Sequence, residues 1–419
     1  MQDNPDVGLE ASPRLAGFRR SRWMAFLGVA ALTPLAAAVH LVHADADGQA
    51  YSVSSAADVL KIMHSAKGGE IIRLEPGKYS GLQINKAHFA RPVTITSARP
   101  DQPAELMGFG MADSSGVTLR DVTLNSTGSS DKYFAFRIYD CENITFADLD
   151  VHGDLAAPPG DQLMGFYIAK SKKISITGSR FRHLNAGVVA NNNSDFDISH
   201  NTFTHLNKGG VEMGGDSQVT ITENRFSDFD LSQDTHADAI QFYTAGTHTS
   251  TEDLTISGNL ILRGRGDPIQ GILLGEEVGT LPYRNLTIVD NAVIGSMWNA
   301  IRVAHADASL VVRDNIVASW RGRDNVPPAG SGNPAHTFTN FLGMIFVGGD
   351  LSTAKVTETG NLAQGYTGAA KQTGTPSGSR LMGPVYDEGR ALVRTWIKRR
   401  ARGELGVNCD GAAGCVLTN

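Results

Sequence analysis

Cysteine is scarce in this chain, three residues in 419. No C-x-x-C pair and no Cys/His spacing of the zinc-ligand kind occurs, which argues against a structural zinc site. Cys409 and Cys415, in NCDGAAGC, can close a small disulfide loop in an oxidising compartment, which leaves Cys141 over as a buried thiol. Proline is also sparse, 16 against 46 glycines. A basic excess is missing: the formal net charge is −6, so the chain carries no footprint for nucleic acid. An anionic partner would have to be met by local Lys and Arg against the overall charge. What the chain does have is abundant Gly, Asn, Ser, Thr and Asp, the residues of tight turns in an all-β protein.

Arg14, Arg19, Arg20 and Arg22 precede an apolar run over residues 23–41, and small residues including Ala44 and Ala46 follow. This order predicts an export signal over 1–46, cleaved or kept as a membrane anchor, and a periplasmic or extracellular protein. The pair Arg19–Arg20 suggests twin-arginine export.

An internal repeat decides the fold class. It reads VTLRDVTL (117–124), ITFADLDV (144–151), ISITGSRF (174–181), FDISHNTF (196–203), VTITENRF (219–226), LTISGNLI (254–261), LTIVDNAV (286–293) and LVVRDNIV (310–317). A shorter apolar strand stands between most copies, as in AGVVA (186–190), GGVEM (209–213), DAIQF (238–242), QGILL (270–274) and NAIRV (299–303). Short strands recurring every 22 or more residues, without helical periodicity between them, predict the stacked coils of a right-handed parallel β-helix. The expected domains are the N-terminal segment, a β-helix over 47–375, and a helix and tail over 376–419. The stretch 54–84 opens with an amphipathic helix that would cap the first coil. A second helix over 384–402 would cap or lie along the other end, with Lys398, Arg399, Arg400 and Arg402 as a solvated face. Asn201, Asn224, Asn259, Asn291 and Asn315 are expected to turn the chain by taking the left-handed conformation and to stack their amides as a ladder.

Alternation along the short strands places Val188, Val211, Ile240, Ile272 and Ile301 in one inward column and Ala190, Met213, Phe242, Leu274 and Val303 in another. Between them an outward file runs through Arg137, Tyr167, Val189, Glu212, Gln241, Leu273 and Arg302. The two longest repeats surround residues 227–285, and long excursions from a regular solenoid often carry function. Asp234, His236, Asp238, Gln241, Tyr243, Arg263, Arg265, Asp267, Gln270, Glu276 and Glu277 gather there, with Lys208 and Glu212 before and Arg302 and His305 after.

The segment AKGGEIIRLEPGKYSG (66–81), followed by the xITxNxF repeats, resembles the pectate-lyase-like β-helix superfamily. Within it the entry segment is most similar to chondroitinase B and alginate lyases, and also resembles mannuronan C5-epimerases. The resemblance implies a secreted, monomeric protein acting on an acidic polysaccharide, as a lyase or C5-epimerase that abstracts a proton α to a carboxylate. In such chemistry a cation neutralises the carboxylate, a base takes the C5 proton and an acid serves the other side. Lys208, His236, Tyr243 and Arg265 are the candidates for these roles. Arg137, Tyr167, Glu212, Asp238, Gln241, Gln270, Arg302 and His305 would bind the chain. Asp234-Thr235-His236 with Lys208 upstream is similar to the epimerase D-P-H pattern, with Thr in place of Pro. Calcium is the one cofactor considered, on Asp234, Asp238 and Glu276. The alternatives are a glycoside hydrolase using Asp238 with Asp234 or Glu212, and a binding or surface-structural β-helix without catalysis.

Overall fold

The computed structural model describes residues 40–45, 48–232, 237–297, 299–320, 343–368 and 378–402. The proposed export signal up to residue 39, the Cys409/Cys415 pair, and Asp234 and His236 lie outside the described residues. Among the described residues, no helix is long and apolar enough to cross a membrane.

Each winding of the chain lays down three short strands, and each pairs in parallel with its equivalent one winding on. The first face contains Met164–Ala169, Ala186–Asn191, Gly209–Gly214, Asp238–Phe242 and Gln270–Leu274, and continues into Asn299–Arg313. The second contains Lys172–Thr177, Ser194–Ser199, Ser217–Thr222, Glu252–Ser257 and Tyr283–Val289. The third is the narrow one: Arg180–Arg182, Thr202–Thr204, Arg225–Ser227, Leu260–Leu262, Ala292–Ile294 and Ile316–Ala318. The result is an all-β parallel β-helix. One antiparallel pair, His40–Asp45 with Gly48–Val53, stands at its start.

Both inward columns form as alternation predicts, and every residue named in them is fully buried. Phenylalanines line the third face from within: Phe181, Phe203 and Phe226 stack at 4.7 Å with interplanar angles of 11° and 6°. Such offset ring pairs add roughly 0.5–1.5 kcal/mol each beyond the area they bury. Opposite these rings the first face must stay small, since a Cβ at Gly210 would stand 2.5 Å from the Phe226 ring.

The first coil is capped by α1 (Ala56–Ser65), whose N-cap Ser55 accepts the Asp58 N–H at 3.1 Å. Val59, Ile62 and Met63 on one side of this helix enter the core. The second helix, α2 (Arg390–Ala401), lies along the flank of the third face. Val393 and Trp396 pack there on Leu260, Ala292, Ile294, Ile316 and Ala318, and the Trp396 indole donates to the Asp290 carbonyl at 3.0 Å. The expected solvated basic face is corrected at one position. Arg400 is 1% exposed and its guanidinium bonds both Glu223 and Asp290, because two turns of the solenoid present carboxylates where the helix docks.

The asparagine ladder is present and longer than expected. Each amide from Asn201 through Asn224, Asn259, Asn291 and Asn315 to Asn361 donates to the next one's Oδ1 at 3.0–3.1 Å. The expectation that these asparagines are themselves left-handed is corrected. That conformation falls on the residue just before each: His200, Glu223, Gly258, Asp290, Asp314 and Gly360, with φ between 54° and 67°. The preceding residue makes the corner, which frees the asparagine to aim its amide into the stack.

Asp216, fully buried, and Glu358, half-buried, weight the pH dependence of stability. Burial pushes both up to about 7; it raises Asp290 too, but against the pull of the Arg400 guanidinium with which that carboxylate is paired. The folded chain therefore holds protons that the unfolded chain has released between about pH 4 and 7. Stability from these groups is full at the acid end of that window and is lost as pH rises through 7. Although burial opposes it, Arg137 holds Asp131 low and Arg182 does so for Asp150; their opposite effect acts only below about pH 4. The thermal midpoint is expected to be higher at pH 5 than at pH 8; an equal or inverted order by calorimetry would contradict this.

Candidate functional site

The outward file forms in the predicted register. Arg137 pairs with Tyr167, and the line continues through Val189, Glu212, Gln241, Leu273 and Arg302 to Phe346. Its centre is recessed: Val189 and Glu212 are each 6% exposed, whereas Arg137 at one end stands in solvent.

Glu212 is the hub. Its side chain folds back over Gly209, where a Cβ would lie 2.3 Å from Oε1. Lys208 reaches the same carboxylate at 3.4 Å and keeps 37% of its side chain exposed. Gly209 pairs with Asp238 on the next winding, and Asp238 with Gln270 on the one after. Two buried acidic residues, Glu212 and Asp238, therefore occupy adjacent windings, three residues out of register along the strand. Gln270 in turn accepts the Asn299 amide at 3.2 Å.

Tyr243 closes the other side. Its ring passes over Gly214, where a Cβ would stand 2.8 Å away, and its O–H donates to Asn191 Oδ1 at 2.7 Å. Burial raises the pKa of this phenol, and the charges of Glu212 and Asp216 add to the rise. Like any phenol Tyr243 is protonated at neutral pH, and in this structure it directs that proton to Asn191. Asn191 and Gly214 were not singled out from sequence. The signal for them was there, since each lies two residues beyond a member of the outward file, at Val189 and Glu212.

The long windings build a wall on each side of the file. On the edge leading into the first face, residues 154–162 reach the loop after the third face, with a Cβ at Gly160 only 3.3 Å from Ser232. On the opposite edge Thr244 ties two loops together: its N–H donates to Glu277 at 2.8 Å and its hydroxyl accepts the Glu277 N–H at 2.9 Å. Beside them Glu276 bonds His305 Nδ1 at 3.3 Å. Against the upward push of burial, that bond, the Gly279 N–H and the Thr244 hydroxyl hold the Glu276 carboxyl below its usual range.

The structure thus brings Lys208, Glu212, Asp238, Gln241, Gln270 and Tyr243 to one stretch of the first face. Arg302 lies further along it, its guanidinium 4.6 Å from the Phe346 ring centroid. Arg265 stands apart on the corner where the third face ends, its N–H on Asp228 Oδ1 at 2.8 Å and its side chain exposed. Among the described residues, no group of three or more His, Cys, Asp or Glu is placed to hold a metal ion.

A family model described as the right-handed β-helix region matches residues 107–228 and 164–323, together just over half of the chain. The chain belongs to the right-handed β-helix family. No curated protein matches this β-helix in sequence. Among solved structures it is similar to PfbA, a surface adhesin of Streptococcus pneumoniae, at 14% identity over 80% of this chain and 82% of that one, with a TM-score of 0.50. An alginate lyase, AlyF-OU02, is 16% identical over 77% of this chain and 72% of that one, with a TM-score of 0.48. The A-module of a mannuronan C-5 epimerase of Azotobacter vinelandii is 13% identical over 78% and 94%, with a TM-score of 0.38. At these identities the likeness is one of fold.

Proposed function

We propose that this β-helix is an exported enzyme that binds an acidic polysaccharide along its first face and abstracts the C5 proton of a uronate, as a lyase or C5-epimerase. One observation carries the reading: in a recess of the file Lys208 reaches Glu212 at 3.4 Å, and two residues further along the same strand the Tyr243 ring lies over Gly214 with its hydroxyl on Asn191. The ammonium supplies the positive charge that a uronate carboxylate needs as negative charge develops at C5. Tyr243 supplies a donor for the leaving oxygen or for reprotonation. The base is His236, because imidazole titrates near neutrality. Arg265, on its separate corner, has a lesser part than Arg302 in holding the chain.

A panel of uronate polymers tests the reading. Ultraviolet absorbance from unsaturated ends identifies a lyase, and a change in uronate composition without cleavage identifies an epimerase. No change in any polymer overturns the proposal. Tyr243→Phe removes the donor and its bond to Asn191, and is expected to lower kcat by about a hundredfold or more with little change in KM. Unchanged kcat would remove Tyr243 from the mechanism. Glu212 and Asp238, two buried acidic residues on neighbouring windings, make glycoside hydrolysis the second reading. New reducing ends without ultraviolet absorbance would establish it.

A further inference from the structure

Two places on the outward file set an arginine guanidinium against aromatic rings. At one, the Arg137 guanidinium lies 5.1 Å from the Phe134 ring centroid and 5.5 Å from that of Tyr167. The two rings are 4.5 Å apart, and Arg137 Nε donates to Asp131 at 2.6 Å, which fixes the guanidinium while its side chain stays 50% exposed. At the other, the Arg302 guanidinium lies 4.6 Å from the Phe346 ring centroid. Their positions are symmetric about the hub. Arg137 is three windings before Glu212, through Tyr167 and Val189, and Arg302 is three windings after it, through Gln241 and Leu273. At the strand spacing of a sheet each lies about 14 Å from Glu212 along the stack.

A guanidinium set against an aromatic ring is suited to an acidic sugar. The ring holds the cation in place, joined at Arg137 by the Asp131 carboxylate, and offers an apolar surface to the C–H groups of a pyranose. The fork of N–H donors matches a carboxylate. One such unit beside a catalytic centre would serve an enzyme that trims chain ends. Two units at equal distances on opposite sides serve one that grasps a chain in its interior.

We propose that Arg137 with Phe134 and Tyr167, and Arg302 with Phe346, are two grips that hold an acidic polysaccharide on both sides of Glu212, so that the protein engages internal stretches of about six sugar units. The substrate class rests on the function proposed above; the grips and the internal mode go beyond it.

The test is binding of a size ladder of oligouronates by calorimetry, with wild type, Arg137→Ala and Arg302→Ala, each checked for an unchanged thermal midpoint. Arg137→Lys and Arg302→Lys serve as second variants, since they keep the charge and lose the fork. Wild-type affinity is expected to rise with length up to about six units and then level off. Each alanine variant is expected to lose about tenfold in affinity for the longest oligomers and to bind chains of two or three units as wild type does. Affinity that levels off at about three units, or losses that are the same at every length, overturns the proposal. The readout needs no turnover. Length-dependent binding without reaction would refute the catalytic reading alone, and turnover with length-independent binding would refute the grips alone.

Discussion

Lys208→Ala is expected to lower kcat/KM on a uronate polymer by about a hundred- to a thousandfold, the range for removing one positioned electrostatic stabiliser. Two effects add. The substitution takes away the cation next to the point where negative charge develops, in a recess where solvent screens poorly. It also leaves the Glu212 carboxylate, 7% exposed, without the ammonium that now lies 3.4 Å from it, so an approaching uronate meets a repulsive group. Both kcat and KM should therefore suffer. Glu212→Gln on the Lys208→Ala background separates the two, because it removes the repulsion without restoring the cation. KM should recover in that double variant and kcat should not. Activity of Lys208→Ala within about threefold of wild type would remove this residue from the site.

Asn259→Ala is expected to be the most damaging single change to stability. The residue is fully buried in the middle of the ladder. Its amide donates to the Ile221 carbonyl at 2.9 Å and to Asn291 Oδ1 at 3.0 Å. Its Oδ1 accepts the Asn224 N–H at 3.0 Å and the Asn224 amide at 3.1 Å. Alanine leaves a backbone carbonyl, a backbone N–H and a neighbouring amide unsatisfied where no water reaches, at about 1–3 kcal/mol for each orphaned group. A total on the order of 4 kcal/mol would lower the thermal midpoint by about 5 °C. In a solenoid the damage falls on the interfaces between neighbouring windings, so a broadened transition should accompany the shift. A midpoint within about 2 °C of wild type would show that the ladder contributes little.

The parts of this molecule that were legible in its sequence are those governed by a short period. Alternation fixed which of Val211, Glu212 and Met213 faces outward, and the repeat length fixed which residues of successive windings meet. Together they yield the whole line from Arg137 to Arg302. The corners were less legible. A left-handed residue and an asparagine follow one another at each, and the asparagine is the more conspicuous of the two. Gly258 and Gly360, which stand just before Asn259 and Asn361, were the hint that the turn is made one residue earlier. Contacts between distant parts of the chain left no local trace at all. The ion pairs of Arg400 join residues 177 and 110 positions apart, and a basic helix end normally lies in water. Tyr243 reaches Asn191 only because Gly214 leaves room for its ring, which is a matter of a missing side chain rather than of a motif.

Proton exchange at C5 is the event that both the lyase and the epimerase readings share. The most direct measurement is therefore the incubation of wild-type protein with uronate polymers in deuterated water, followed by NMR of the H5 signals. Loss of H5 intensity or formation of unsaturated ends in at least one polymer, abolished in Lys208→Ala, is the predicted result. A polymer that binds tightly along the first face yet keeps every H5 proton and every glycosidic bond would contradict it.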